Sequence, residues 1–242
     1  MKKIFIFLGA IIILFFALPI FKLIFNISAQ TYLKTLQDKE VLNSILLTMR
    51  VSFLGVLTVL ILGLPLAYVI AREDFKFKSL IESIIDIPTM LPHTAAGIAL
   101  LITFNNRNFP IVDTTFGIML AMMFLSAPYL INSAKEGFRK VDVKLENVAQ
   151  SLGASPLQTF LLITIPNARK DIINGMLMMW ARGLGEFGAV VIITYHPMVT
   201  PILIYDRFNS FGLKFSAPVA AVMIIFSILI FLIIRYFNNK IT

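Results

Sequence analysis

The sequence predicts an all-α membrane protein with six transmembrane helices. Three observations carry that reading. Hydrophobic residues make up 58% of the 242, and charged residues only 14%. Six stretches come close to the roughly 20 apolar residues that cross a hydrocarbon core. Lys and Arg fall about two to one on one side of those stretches. A soluble domain is about 45–50% apolar and about 25% charged, so composition argues against an ordinary soluble enzyme, a disordered chain and a nucleic-acid-binding domain. The net charge of +8 then marks the cytoplasmic loops of a membrane protein. There is no cysteine, which excludes disulfides, iron–sulfur clusters and thiolate zinc sites. His93 and His196 lie far apart without ligand spacing, and no metal or other cofactor is expected in this chain.

The expected spans are Ile4–Phe25, Ser44–Ala71, Ile84–Phe104, Thr115–Ala134, Ile172–Tyr195 and Ala217–Ile234. Lys2 and Lys3 precede the first. Its apolar run exceeds the roughly 7–15 residues of a signal-peptide core and no small-x-small site follows, so it reads as a retained helix. Pro88 and Pro92 are expected to break the start of the third. With the N-terminus inside, thirteen basic residues fall on the inner side. Six fall outside: Lys22, Lys34, Lys39, Arg107, Arg207 and Lys214. Both termini are therefore expected in the cytoplasm of a multi-pass plasma-membrane protein. No repeat or soluble domain is visible, and residues 1–242 read as one membrane domain.

The longest inner segment, about 135–170, carries six of the basic residues. Asp142 is a candidate N-cap, and Leu145, Val148, Ala149 and Leu152 share one helical face. Glu146, Asn147, Gln150 and Ser151 take the other side. Gly153 stands where a glycine ends a helix. Ser155-Pro156-Leu157-Gln158 then starts another, with Ser155 as N-cap, Pro156 at the first helical position and Gln158 closing a capping box. Pro166 is expected to end it. Amphipathicity alone leaves two readings level: a helix lying on lipid headgroups, or a peg that docks into a partner.

Ala149-Gln150-Ser151-Leu152-Gly153-Ala154-Ser155-Pro156, followed by Ile163-Thr164-Ile165-Pro166, resembles the "EAA" loop of binding-protein-dependent ABC importer permeases. The spacing from Gly153 to Ile163 and Pro166 matches that signature. Asn147, Val148 and Ile165 depart from it, and Glu146 stands one position before the expected glutamate. Gly63-Leu64-Pro65-Leu66-Ala67-Tyr68-Val69-Ile70-Ala71-Arg72 resembles the end of the family's second helix, and Pro92-His93-Thr94-Ala95-Ala96-Gly97 its third. Arg182-Gly183-Leu184-Gly185-Glu186-Phe187-Gly188-Ala189 is similar to the fifth-helix signature of the sulfate and molybdate branch. Tyr195-His196-Pro197-Met198 and Pro201-Ile202-Leu203-Ile204-Tyr205 most resemble molybdate/tungstate permease subunits.

The resemblance implies a type I ABC importer permease fold with a cytoplasmic coupling helix. It assigns ATPase coupling to Glu146, Asn147, Ala149, Leu152, Gly153, Ala154, Ser155 and Pro156. It also implies the partners: an ABC ATPase dimer holding ATP and Mg, an external substrate-binding protein, and a second copy of this chain, all in membrane lipid and without nucleic acid. The cargo would be a tetrahedral oxyanion, most similar to molybdate or tungstate, with sulfate or phosphate as the alternative. An ATP-independent anion transporter would instead need intramembrane coupling carboxylates or inverted repeats. Glu186 is the one deep acid, and no repeat is visible.

The candidate pathway residues are Arg182, Glu186, His93 and Arg50. Arg182 and Glu186 are opposite charges four apart in the fifth span and are expected on one helix face. A charge at the bilayer centre costs at least about 2.5–3.5 kcal/mol, so both should face protein or water. Two readings stay open: a pair that holds helices together, or an anion route along Arg182 that Glu186 restrains. Arg50 is expected to snorkel near the outer end of the second span. Thr48, Ser52 and Thr58 are expected mostly to bond carbonyls of the preceding turn. Gly183, Gly185 and Gly188 spell G-x-G-x-x-G, but inside an apolar span they favour close helix contact or local unwinding over a nucleotide loop. No G-x-x-x-x-G-K-[ST] occurs, so energy from ATP would come from a separate subunit.

Overall fold

A computed structural model describes residues 2–106 and 110–240, with side chains through residue 236. Arg107, one of the six outer basic residues, lies outside the described residues. In chain order the helices are α1 (Lys2–Phe25), α2 (Ala29–Gln37), α3 (Lys39–Arg72), α4 (Lys78–Met90), α5 (His93–Phe104) and α6 (Thr115–Lys140). They continue with α7 (Val143–Ser151), α8 (Pro156–Thr159), α9 (Ile165–Leu184), α10 (Gly188–Ile193), α11 (Thr200–Phe211) and α12 (Leu213–Lys240). All six apolar stretches are helical. Among the described residues, α1, α3, α6 and α12 are each long and apolar enough to cross a membrane.

The third and fifth stretches depart from single helices. The third is the pair α4 and α5, bent by 117°. Pro88 does not break it, but lies buried inside α4. Pro92 does: it forces Leu91 into extended backbone (φ −72°, ψ 141°) and supplies the residue before α5. The fifth stretch is interrupted at Gly185, Glu186 and Phe187, which separate α9 from α10. Pro166 does not end the loop's second helix. Residues 160–164 form a π-helical turn that carries α8 into α9, and the Ile165 N–H reaches back to the Phe160 carbonyl. That wider turn shifts the hydrogen-bond ladder where Pro166 has no N–H to give.

The chain divides into two compact units. One comprises residues 1–46 and 199–232. Within it the Ser28 hydroxyl caps α2 by accepting from the Thr31 N–H at 3.2 Å, and Arg207 donates to Asp38 at 2.7 Å and Glu40 at 2.8 Å. Helix α1 buries none of its residues. The other unit comprises residues 47–198 and 233–242 and holds the 135–170 loop and the Arg182 region. Its centre is the packing of α6 against α9. Glycine permits the close approach there: a Cβ at Gly175 would lie 2.8 Å from the Ser133 Cβ and 3.1 Å from the Leu130 Cα.

Candidate functional site

The 135–170 loop is built by local rules that the sequence displays. Asp142 caps α7 by accepting from the Lys144 N–H at 3.0 Å. At the other end Gly153 has φ +93°, the left-handed conformation that only glycine takes without strain. The Ala154 N–H returns to the Ala149 carbonyl and the Gly153 N–H to that of Gln150, both at 3.0 Å, so the last carbonyls are satisfied. Ser155 and Gln158 form the expected reciprocal box, with Pro156 at the first turn. Two short helices thus leave the glycine turn with fixed directions.

The outward face differs from a simple amphipathic reading. Leu145, Val148 and Leu152 are exposed, Leu152 by 84%. Leu157, Leu161 and Leu162 add to the same kind of surface. Ala149 and Ala154 are half-buried, while Asn147, Gly153, Ser155 and Pro156 are exposed. Glu146, expected among the coupling residues and on the polar side, is turned inward and only 4% exposed.

A continuous network explains that inversion. Arg72, at the end of α3, donates from Nε to both Glu146 oxygens at 3.2 Å and from Nη2 to Oε1 at 2.8 Å. The same Nη2 donates to the Val141 carbonyl at 3.0 Å. The Tyr68 hydroxyl donates to Oε2 at 3.2 Å and the Thr164 hydroxyl to Oε1 at 2.8 Å. Around them the rings of Tyr68, Phe138 and Phe160 pack pairwise at 4.9–5.8 Å between centroids. Burial pushes the Glu146 carboxyl upward. Hydrogen bonds from Arg72 and Thr164, the Arg72 charge and the Tyr68 bond outweigh it and hold the group below its ordinary value. Sequence reasoning misses Tyr68, Arg72 and Thr164 as site residues. Their signal is faint: Tyr68 and Arg72 are polar groups four apart at the end of a span.

The second constellation lies where α5 begins and the fifth stretch breaks. Arg182 Nη1 donates to Glu186 Oε2 at 3.0 Å, and Nη2 lies 2.6 Å from His93 Nε2. His93 Nδ1 lies 3.1 Å from the same Glu186 oxygen, and Oε1 accepts the Ala189 N–H at 3.0 Å. A guanidinium only donates, so the nearer ring nitrogen, Nε2, is the acceptor and the hydrogen of the neutral ring falls on Nδ1, which stands 3.4 Å from the same Nη2. The pair is therefore not on one continuous helix face, since α9 has already ended at Leu184. It bridges the break and draws in α5. Glu186 is 1% exposed, whereas the Arg182 side chain is 28% and that of His93 43% exposed.

Arg50 does not join this cluster. It is exposed on α3, while Ser52, on the opposite face, approaches Gly183. Ser52 and Thr58 donate to Thr48 and Leu54 carbonyls at 2.7 and 2.9 Å, as helical hydroxyls do. The glycines of G-x-G-x-x-G take packing and break positions. Gly185 caps α9, and a Cβ at Gly188 would stand 2.6 Å from the His93 Cβ. Gly188→Val is accordingly expected to push α10 off α5 and cost about 1–3 kcal/mol by overpacking. A lowered thermal unfolding midpoint of the purified protein checks it, with Gly185→Ala as the milder control.

Known proteins share this architecture. The family described as "Binding-protein-dependent transport system inner membrane component" matches residues 60–242. The molybdate/tungstate transport system permease protein of Pyrococcus abyssi is 42% identical over 96% of this chain and 94% of its own length. A probable sulfate transport system permease protein of Prototheca wickerhamii is 31% identical over 89% of this chain and 90% of its own. Among solved structures, a bacterial alginate ABC transporter in complex with its alginate-bound periplasmic protein superposes with a TM-score of 0.71 at 19% identity. That match covers 99% of this chain and 93% of the other. At that identity the likeness shows the fold, that of a type I ABC importer permease.

Proposed function

Because the chain belongs to the family of binding-protein-dependent transport system inner membrane components, we propose that it is the permease subunit of an ABC importer for a tetrahedral oxyanion, molybdate or tungstate. The observation that carries the coupling half of this reading is the outward leucine face of the 135–170 loop, held rigid by the inward Glu146–Arg72 pair. An apolar patch on a helix that packs its one acid inside is suited to a groove on a soluble partner. That partner would be a separate ATPase that binds ATP and Mg. The substrate half rests on the 42% identity to a molybdate/tungstate permease, against 31% to a sulfate one.

In this scheme residues 1–242 act as one permease domain in the plasma membrane with both termini cytoplasmic. Two copies related by a two-fold axis enclose the route. An external binding protein delivers the anion to the outer mouth. ATP binding closes the ATPase dimer, and the two loops transmit that motion through Glu146 and Arg72 into α3. The helices rock to the outward-open arrangement, and hydrolysis resets them. The chain itself performs no covalent chemistry. Arg182 offers the anion a positive group along the way, and Glu186 lowers its hold so that the anion can leave.

The test is reconstitution with the ATPase and the binding protein. ATPase activity should rise with molybdate- or tungstate-loaded binding protein and not with the sulfate-treated one. Stimulation by sulfate alone would move the cargo to the alternative, and uptake without any ATPase would overturn the class. For the docking surface, Leu152→Glu should leave the permease as stable as wild type, because the side chain is already exposed. It should reduce ATPase co-purification by about tenfold or more. Unchanged co-purification would refute the docking face.

A further inference from the structure

Resting on the reading of the chain as an oxyanion permease, we propose that His93 is the exchangeable ligand of Arg182. The transported anion enters this station by taking the place of the His93 ring on the guanidinium, and His93 takes up a proton as it does so.

The three side chains differ in how firmly they are held. Glu186 is locked: it is 1% exposed, and its two oxygens are occupied by Arg182, His93 Nδ1 and the Ala189 N–H. Arg182 is held on one side by that fixed carboxylate and on the other by a neutral imidazole nitrogen. His93 is the most exposed of the three, and its bond to Arg182 joins a cation to a neutral group rather than to an opposite charge. It is therefore the bond that an anion most readily displaces.

The tautomer sets the proton's part in the exchange. Nε2, 2.6 Å from Arg182 Nη2, presents its lone pair to the guanidinium. An oxyanion in contact with Arg182 would face that same lone pair and be repelled by it. Protonation at Nε2 by solvent converts the lone pair into a donor, so that Arg182 and His93 together would present two donors to one anion. Nδ1 lies 3.1 Å from Glu186 Oε2, so the buried carboxylate balances the new imidazolium. When the anion leaves, the proton returns to solvent and Nε2 recaptures Arg182.

Of the helices packed against α5, α10 carries no titratable side chain, and α6 carries Tyr129 and, from Lys135 onward, its charged residues. Arg182 and Glu186 are the charged groups on the α9 side. Protonation of His93 and anion binding are then thermodynamically linked, and affinity must fall as pH rises.

The experiment uses the permease reconstituted with its ATPase in proteoliposomes, with radiolabelled tungstate as the probe. Binding of tungstate, and uptake driven by tungstate-loaded binding protein, are measured at about pH 6 and about pH 8 for wild type and His93→Gln. Wild-type affinity is expected to weaken by about tenfold or more across that range. His93→Gln supplies donor and acceptor without titrating, so it should bind equally at both pH values and lose the wild-type slope of uptake. Parallel profiles for the two proteins, or a flat wild-type profile with uptake intact, would overturn the role of His93 alone. Wild type that takes up no oxyanion at either pH overturns the underlying permease reading as well. If the variant fails to assemble, proton uptake by wild type decides: tungstate added in weak buffer near pH 7.5 should draw up to about one proton per anion bound, and no uptake refutes the linkage.

Discussion

Glu146→Ala is expected to abolish uptake while the chain still inserts into the membrane. The substitution removes the acceptor that Arg72, Tyr68 and Thr164 share. It leaves Arg72, whose side chain is 11% exposed, without its counter-charge. Breaking a buried pair from one side costs about 3–5 kcal/mol, because the remaining charge stays desolvated. The cost falls on the joint between α3, α7 and the turn before α9, so the loop should lose its fixed orientation rather than the helices their span. Limited proteolysis of the loop and uptake by the reconstituted complex check both halves. Glu146→Gln retains the shape and some hydrogen bonds and should be intermediate. The Glu146 carboxyl lies below its ordinary value of 4.5, so its stabilisation is complete above that ordinary value and is lost as pH falls through the lowered one. This pair should add no pH dependence near neutrality, and the loop should loosen only in acid, as pH falls below the ordinary carboxyl value.

Arg182→Gln is the second large effect. It leaves the Glu186 carboxylate, 1% exposed, without its guanidinium and facing only His93 and one backbone N–H, at a cost of up to about 3–5 kcal/mol. Lowered stability and lost uptake together would not separate a structural pair from an anion route. The double variant Arg182→Gln, Glu186→Gln does. With both charges gone, the amide carbonyl at position 186 can still accept the Ala189 N–H, and the melting temperature should return close to wild type. If Arg182 serves the anion, uptake stays at background in the double variant. If the pair only holds helices together, stability and uptake recover in step, which would end the pathway reading. Stability is read by thermal unfolding of the purified protein and uptake by labelled tungstate.

The parts of this protein that sequence revealed are those settled within a few residues. Asp142, Gly153, Ser155 and Gln158 cap the loop helices as their spacing demands, because a cap is a bond between near neighbours in the chain. The six apolar stretches are helical because membrane solubility constrains composition over about 20 residues whatever the rest of the chain does. Their interruptions were harder. Pro88 and Pro92 look alike in sequence, yet one sits inside α4 and the other makes the bend. A proline's missing bond can be absorbed or not depending on what packs around it. Pro166 is absorbed by a π turn that no spacing rule announces.

Composition, span length and capping chemistry belonged to the sequence, since each is a sum or a contact over short stretches of chain. Which way α7 faces, and what Arg182 holds, did not. Glu146 is buried only because Arg72, 74 residues earlier, and Thr164, 18 later, meet it. His93 reaches Arg182 across 89 residues. A charge tolerates burial where its partner stands. The partner's place is decided by how helices pack, so only the tertiary structure could turn a polar face inward and bring a histidine to the break in the fifth stretch.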